Sequence, residues 1–427
     1  MTGYLRRLLT TGAAYQLADV VSKLIALGLL PVYTRHLTRA DYGTAELVLT
    51  TVILFSIVVR LGVGEAYVRF HFLDEDPERR RRLARAATGL LAVVTTVCAI
   101  AVALAAEPLS RLLLGADRPA ELRVAALGLW AFTNLELAYA LLRVHERARA
   151  FLVASLANVA LTVALTVWLV VVRDDGAVGL LLGNYAASAV VLVGLWVALR
   201  DDLGLSPAAL DPGQLRPMLR FGLPTVPAEV SVFALFFVDR LWLYRFDSEA
   251  AAGLYSLSVK LAAVVVFTVR AFQYAWPPLA YSIADDAEAR GVYARITTYY
   301  VLFTGVVVAG LALLGRWVVR VFAAPDFFAA HEALPWVALG WALYGLFLVL
   351  VVMAGRARVT VRNFPAALCG LAVNVALLAL LVGPLGIVGA GLALVGAYVV
   401  MLAVMYGLTR GLFAVPFEWA RLALVVG

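Results

Sequence analysis

Twelve apolar blocks, each about long enough to cross a bilayer, follow one another through this chain, and polar residues are largely confined to the short stretches between them. They fall at 11–33, 44–69, 84–106, 122–142, 150–172, 178–199, 221–244, 253–278, 293–315, 334–355, 365–383 and 390–409. Roughly 20 helical residues cross the hydrocarbon core, and only helices or closed barrels satisfy every backbone hydrogen-bonding group there. The expected fold is an all-α polytopic membrane protein with about twelve transmembrane helices. Composition supports this: 63% of the 427 residues are hydrophobic and 15% charged, where a soluble domain has ~45–50% apolar and ~25% charged residues. That excludes a soluble enzyme and a disordered chain. The net charge of +7 implies no nucleic-acid partner, because the basic residues sit between spans.

Orientation follows from those basic residues. The N-terminus and the segments 69–85, 143–149, 200–220, 290–295, 356–362 and 410–421 hold 21 arginines, against 10 in the alternate loops. Both termini are therefore expected on the cytoplasmic side, with the strongest signal at Arg79, Arg80, Arg81 and Arg82. Met1–Leu9 resembles a signal-peptide n-region, but Asp19 and Lys23 interrupt the apolar stretch that follows, which marks a first span. The outer loops are short and offer no domain for a soluble active site. The segment Ser110–Leu114 is expected to lie in the interface.

The chain repeats itself. At a shift of 210 residues Gly12 falls on Gly222, Asp19 on Glu229, Arg35 on Arg245, Gly43 on Gly253 and Arg60 on Arg270; Gly176 and Gly179 fall on Gly386 and Gly389. Asn158 matches Asn374 at a shift of 216. Charged and glycine matches carry weight because those residues are rare in the spans. The expected organisation is an N-lobe over 1–200, a cytoplasmic linker over 201–220, a C-lobe over 221–411, and a segment 412–427 that is either a stub or the start of a further helix. Six spans per lobe place both lobes the same way up. Such parallel repeats are a transporter architecture, with substrate held at the repeat interface.

Charges within the membrane mark the candidate site, since each costs roughly 2.5–3.5 kcal/mol at the bilayer centre unless it faces a cavity or a partner. At ~1.5 Å rise per residue, Asp19 and Arg60 lie about 10–12 Å from the cytoplasmic face, and the repeat sets Glu229 and Arg270 at the same levels. Lys23 lies one turn deeper than Asp19. The chemistry points to a basic cavity in which Arg60, Arg270, Lys23 and Lys260 bind a phosphorylated headgroup, because the guanidinium fork matches phosphate. Asp19 and Glu229 balance those charges or carry a coupling ion, Na+ or H+. The alternative is that Asp19–Arg60 and Glu229–Arg270 are ion pairs that only join helices. Asp239 and Arg240, at the outer end of the seventh span, are candidates for an outer gate or a solvated helix end; Glu46 and Glu65 are expected near interfaces.

Other chemistries are missing. No HExxH, GxxxxGK[ST] or GxSxG pattern occurs, and no bound cofactor is expected. His36, His71, His145 and His331 are scattered over loops, and Cys98 and Cys369 lie in apolar blocks, so neither a metal site nor a disulfide is expected. Without an ATP-binding module, transport must draw on an ion gradient, the membrane potential or substrate supply.

Four segments carry a family resemblance: Leu30-Pro31-Val32-Tyr33-Thr34 with Leu37-Thr38 and Asp41-Tyr42-Gly43-Thr44; Phe221-Gly222-Leu223-Pro224-Thr225-Val226-Pro227 with Val238-Asp239-Arg240; Ala252-Gly253-Leu254-Tyr255 with Val259-Lys260; and Phe272-Gln273-Tyr274-Ala275-Trp276-Pro277. With the 6+6 layout they resemble, over nearly the whole chain, the Wzx-type polysaccharide flippases of the multidrug/oligosaccharidyl-lipid/polysaccharide (MOP) exporter superfamily. The resemblance implies a V-shaped, two-lobed transporter of a bacterial inner membrane. It would move an undecaprenyl-diphosphate-linked oligosaccharide (an O-antigen, capsule or exopolysaccharide unit) to the outer leaflet by alternating access, among membrane lipids and beside a polysaccharide polymerase. The alternatives are a lipid II flippase, a multidrug or major-facilitator carrier, and a membrane enzyme of glycan assembly, a ligase or polymerase. Cationic drugs call for acidic sites, the loop after the second span lacks the major-facilitator pattern, and the short outer loops disfavour the enzyme.

Overall fold

The computed structural model describes residues 20–73, 76–200, 203–204, 210–283, 285–356, 362–411 and 413–421. These are helical almost throughout, with no strand among them. After helical residues 20–28 come α1 (Leu30–His36), α2 (Arg39–Val59), α3 (Val63–Leu73), α4 (Pro77–Leu104), α5 (Ala106–Leu114), α6 (Pro119–Val144), α7 (Ala148–Val167, extended by a π-turn over Trp168–Val172) and α8 (Gly176–Ala198). They continue with α9 (Pro212–Gly222), α10 (Val226–Phe246), α11 (Glu249–Leu261), α12 (Ala263–Ser282), α13 (Asp286–Phe322), α14 (Leu334–Arg356) and α15 (Asn363–Thr409). Asp19 lies outside the described residues, as does most of the first expected span.

Eight of these helices are long and apolar enough to cross a membrane, and two bent pairs, Pro212–Thr225 with Glu229–Phe246 and Glu249–Leu261 with Ala263–Gln273, reach that length together. The 47 residues of α15 would run ~70 Å if straight, more than twice a ~30 Å hydrocarbon core. They form a hairpin instead. Gly386 turns the chain with φ +53°; Gly389 lies against the Leu381 carbonyl, Gly396 against Leu377, and Gly370 against Ala397 and Met401. With α15 counted as two crossings, eleven of the twelve expected spans stand among the described residues. Large apolar side chains stand exposed on α4 (Val97, Ile100, Leu104) and α13 (Leu313, Trp317, Val321), as a surface suited to lipid requires. The amphipathic α5 separates α4 from α6 and ends on Gly115 in the left-handed region.

The chain divides into two compact units, Met1–Val230 and Ser231–Gly427. The boundary falls inside α10, and the segment expected as a linker contributes α9 to unit 1. Met218 of α9 is fully buried in that unit's core, with Leu219 and Phe221 packed beside it. Asp211 caps α9 by accepting from the Gly213 amide at 2.9 Å.

Local geometry repeats between the units at the shift read from the sequence. Thr38 caps α2 by accepting from the Asp41 amide at 3.0 Å, and Ser248 caps α11 by accepting from the Ala251 amide at the same distance. Ser and Thr are preferred there because their side-chain oxygen satisfies an amide the helix leaves unpaired. Gly176 and Gly386 both turn the chain with positive φ, +55° and +53°.

Hydrogen bonds buried in the apolar interior join helices within each unit. Tyr33 pairs with Thr166 at 3.1 Å, Asn134 donates to Thr95 at 2.8 Å, and Tyr300 donates to the Ala342 carbonyl at 2.8 Å. Polar bonds and close approach of small residues replace the hydrophobic driving force that lipid removes. His71 is not a loop residue: it is buried in α3, and its ring lies 5.6 Å from that of His145. Glu46, in α2, is only 4% exposed.

Candidate functional site

The second span breaks where its arginine stands. Arg60 forms the C-cap of α2, Leu61 and Gly62 follow with φ +54° and +66°, and α3 restarts at Val63. A non-glycine residue at positive φ is uncommon, and strained backbone of this kind costs of order 1–3 kcal/mol. The break is held by a second glycine. A Cβ on Gly62 would lie 2.3 Å from the Gly222 carbonyl oxygen, and one on Gly222 would lie 2.5 Å from that of Gly62. Only glycine allows the end of α9 to meet the break backbone to backbone. Arg69 adds its guanidinium over the Phe221 ring at 4.5 Å.

Past Gly222 the prolines at 224 and 227 shape a short turn, since proline is tolerated where a helix begins but not inside it. The path bends by 48° and α10 starts at Val226. Glu229 thus lies in the first turn of α10 and reaches back to Arg60, whose Nη2 donates to Glu229 Oε1 at 2.9 Å. The structure joins the two residues that the repeat places in different pairs, one an arginine of the N-terminal half and the other an acid of the C-terminal half. Their side chains are 20% and 40% exposed.

Beside this ion pair unit 1 contains a pocket of about 330 Å3. Its charged lining is Arg60, Glu65, Glu136 and Arg143, with Gly64, Val68, Leu91, Leu137 and Ala140 as its apolar wall. Glu65 stands in the first turn of α3, where the helix dipole favours negative charge. Glu136 and Arg143 are two turns apart on one face of α6. Glu136 is legible in the sequence as a charge inside the span 122–142. Arg143 offers no such signal, because it stands among basic residues at a span end.

Lys23 is half-buried in the helical residues 20–28, Lys260 is half-buried in the last turn of α11, and Arg270 is exposed on α12. Asp239 and Arg240 do not close a solvated helix end. Helix α10 continues to Phe246, and the two are only 1% and 7% exposed. Asp239 accepts from the Tyr255 hydroxyl at 2.8 Å and from Asn374 Nδ2 at 3.0 Å. Arg240 donates to Ser256 Oγ at 3.1 Å and to the Phe236 carbonyl at 2.7 Å. Asn374 Oδ1 and the Tyr398 hydroxyl are buried in the same unit with no hydrogen-bond partner among the described residues. Asn374, visible in the sequence only as a repeat match, here ties the hairpin α15 to the carboxylate of α10. A second cavity, about 640 Å3 in unit 2, is walled by α13, α14 and α15 almost entirely with apolar side chains and carries no charge. No group of three or more metal-ligating side chains occurs among the described residues.

The helical layout, the twofold repeat and charged groups inside the spans define a polytopic helical membrane protein. The chain belongs to the polysaccharide biosynthesis protein family, whose model matches residues 8–284. No curated protein sequence matches it. Among solved structures, the lipid II flippase MurJ in an inward closed conformation superposes with a TM-score of 0.77 at 12% identity, over 98% of this chain and 90% of that one. An inward-facing multidrug resistance MATE family transporter of the MOP superfamily gives 0.74 at 15% identity, over 95% of each chain. The Vibrio cholerae MATE transporter VcmN in its bent form gives 0.58 at 16% identity, over 100% of this chain and 97% of that one. At these identities the likeness is one of fold.

Proposed function

We propose that this protein is a flippase that carries an undecaprenyl-diphosphate-linked oligosaccharide, a unit of O-antigen, capsule or exopolysaccharide, from the cytoplasmic to the outer leaflet of a bacterial inner membrane by alternating access. The observation that carries the reading is Arg60 at a broken transmembrane helix, opening into a charged pocket and neutralised by Glu229. Such an arginine suits a diphosphate, and an internal carboxylate that substrate displaces keeps its charge tolerable in the empty site. Membership of a polysaccharide biosynthesis family supports the glycan part of the reading. Arg270, Lys23 and Lys260 supply further positive charge for the headgroup, and Asp19 is a second balancing acid. The coupling ion is H+ or Na+. Asp239 with the unpaired Asn374 and Tyr398 oxygens offers the hard oxygen donors such an ion prefers, and Glu229 is the other acid that can exchange it. A polysaccharide polymerase working beside the flippase would consume its product.

A second reading, lipid II transport, is favoured by the fold likeness to MurJ. Depleting the protein in its source cells and extracting polyprenyl-linked lipids for mass spectrometry separates the two. Accumulation of a diphosphate-linked oligosaccharide with loss of one surface polymer supports the first; accumulation of lipid II supports the second. An unchanged lipid pool overturns both.

A further inference from the structure

The unit 1 pocket holds more than a phosphate needs. Arg60 and Arg143 supply the positive charge, but the same 330 Å3 is also lined by two carboxylates, Glu65 and Glu136. Neither makes a hydrogen bond or ion pair among the described residues, although Arg60 is engaged by Glu229. Glu65 is exposed and Glu136 half-buried, so both carboxylates are open to a ligand, and acids on spanning helices mark a functional surface. An ionised carboxylate is an acceptor only, with about four lone-pair sites. Two of them facing one small pocket select a ligand rich in donors and reject a second negative charge beside the diphosphate. Hydroxyl groups of an uncharged sugar meet that requirement, and the pocket lies at the small end of the ~300–1,000 Å3 range of ligand sites.

We propose that Glu65 and Glu136 form a sugar subsite that accepts hydrogen bonds from the hydroxyls of the first sugar on the lipid diphosphate, and that they discriminate against a uronic acid at that position. The inference rests on the flippase reading and adds the class of the first sugar. Arg60 and Arg143 hold the diphosphate on one side of the pocket; Glu65, carried by the broken second span, and Glu136, on α6, face the ring. Selection follows from the usual asymmetry of polar sites: a pocket built around hydrogen bonds rejects a ligand that leaves its groups unpaired or repelled.

The test is binding to the full chain in nanodiscs of three probes: a polyprenyl diphosphate, its neutral hexosyl derivative and its hexuronosyl derivative. Wild type is expected to bind the hexosyl lipid about tenfold or more tightly than the hexuronosyl lipid. In the Glu65→Gln/Glu136→Gln double variant that ratio is expected to fall to within about threefold, because the repulsion is gone while amide groups remain to bond the ring. Wild-type binding without discrimination, or a ratio that persists in the double variant, overturns the sugar subsite and leaves the flippase reading intact. Wild type that binds none of the three overturns the flippase reading and the subsite with it. If the double variant does not fold, the Glu65→Gln and Glu136→Gln single variants carry the same comparison: a ratio that falls in either supports the subsite, and one unchanged in both overturns it.

Discussion

Arg60 donates to Glu229 at 2.9 Å across 169 residues of sequence. One residue ends a broken helix and the other opens the helix that follows a proline-shaped turn. Their meeting converts two isolated intramembrane charges into an internally compensated ion pair. On the proposed reading, a diphosphate that binds Arg60 takes the place of the Glu229 carboxylate.

Glu229→Gln removes that competitor. Because the pair is partly exposed, its strength is set near the ~1 kcal/mol of a screened ion pair, so the diphosphate lipid is expected to bind about threefold to tenfold more tightly. Transport in proteoliposomes is expected to slow as release becomes harder. Arg60→Gln should abolish binding and transport while leaving folded protein in the membrane. Full transport by Arg60→Gln would remove Arg60 from the headgroup role.

The backbone contact between Gly62 and Gly222 admits no side chain. Gly62→Ala carries both a positive φ and a clash at 2.3 Å, and is expected to destabilise unit 1 by about 2 kcal/mol or more. Gly222→Ala should do the same through its 2.5 Å approach. At Gly194 of α8 no atom lies within 4 Å of a new Cβ, so Gly194→Ala should be neutral or slightly stabilising. Thermal unfolding of the three purified variants provides the comparison.

Asp239 is a buried carboxylate held by Tyr255 and Asn374. Tyr255→Phe leaves one of its oxygens short of a donor and is expected to cost about 1–3 kcal/mol, read as a fall in melting temperature. If Asp239 takes part in coupling, Asp239→Asn will make transport insensitive to the H+ or Na+ gradient that drives the wild type. Unaltered gradient dependence assigns Asp239 to structure alone.

Arg356, at the end of α14, ties three segments of unit 2. Its Nε and Nη2 donate to Asp286 Oδ1 at 3.1 and 2.6 Å, and its Nη1 donates to the carbonyls of Ala280 and Ile283 at 3.1 and 2.9 Å. The guanidinium also lies 5.3 Å from the Phe413 ring centroid. Lysine has no planar fork to span these acceptors. Arg356→Lys is therefore expected to lower stability by about 1–3 kcal/mol, with limited proteolysis showing earlier cutting near Ile283 and Phe413.

Much of this protein is written along the chain. Apolar block length dictates a polytopic helical bundle, because lipid leaves the backbone no other partner. The 210-residue repeat, carried by rare charges and glycines, fixes two related units, and the matched caps at Thr38 and Ser248 and the matched turns at Gly176 and Gly386 express it locally. Depth is also legible, since each helical residue advances ~1.5 Å; that is why Arg60 and Glu229 stand out as intramembrane charges. Which charge meets which is not legible. It depends on how each helix is rotated and how closely two backbones approach, and here a single Gly62–Gly222 contact brings Glu229 to Arg60. The same holds for Glu136 and Arg143, which α6 carries to the Arg60 pocket, and for Asn374, which the α15 hairpin carries to Asp239. Spacing along the chain determines the membrane fold and the level of each charge, while packing in three dimensions decides its partners.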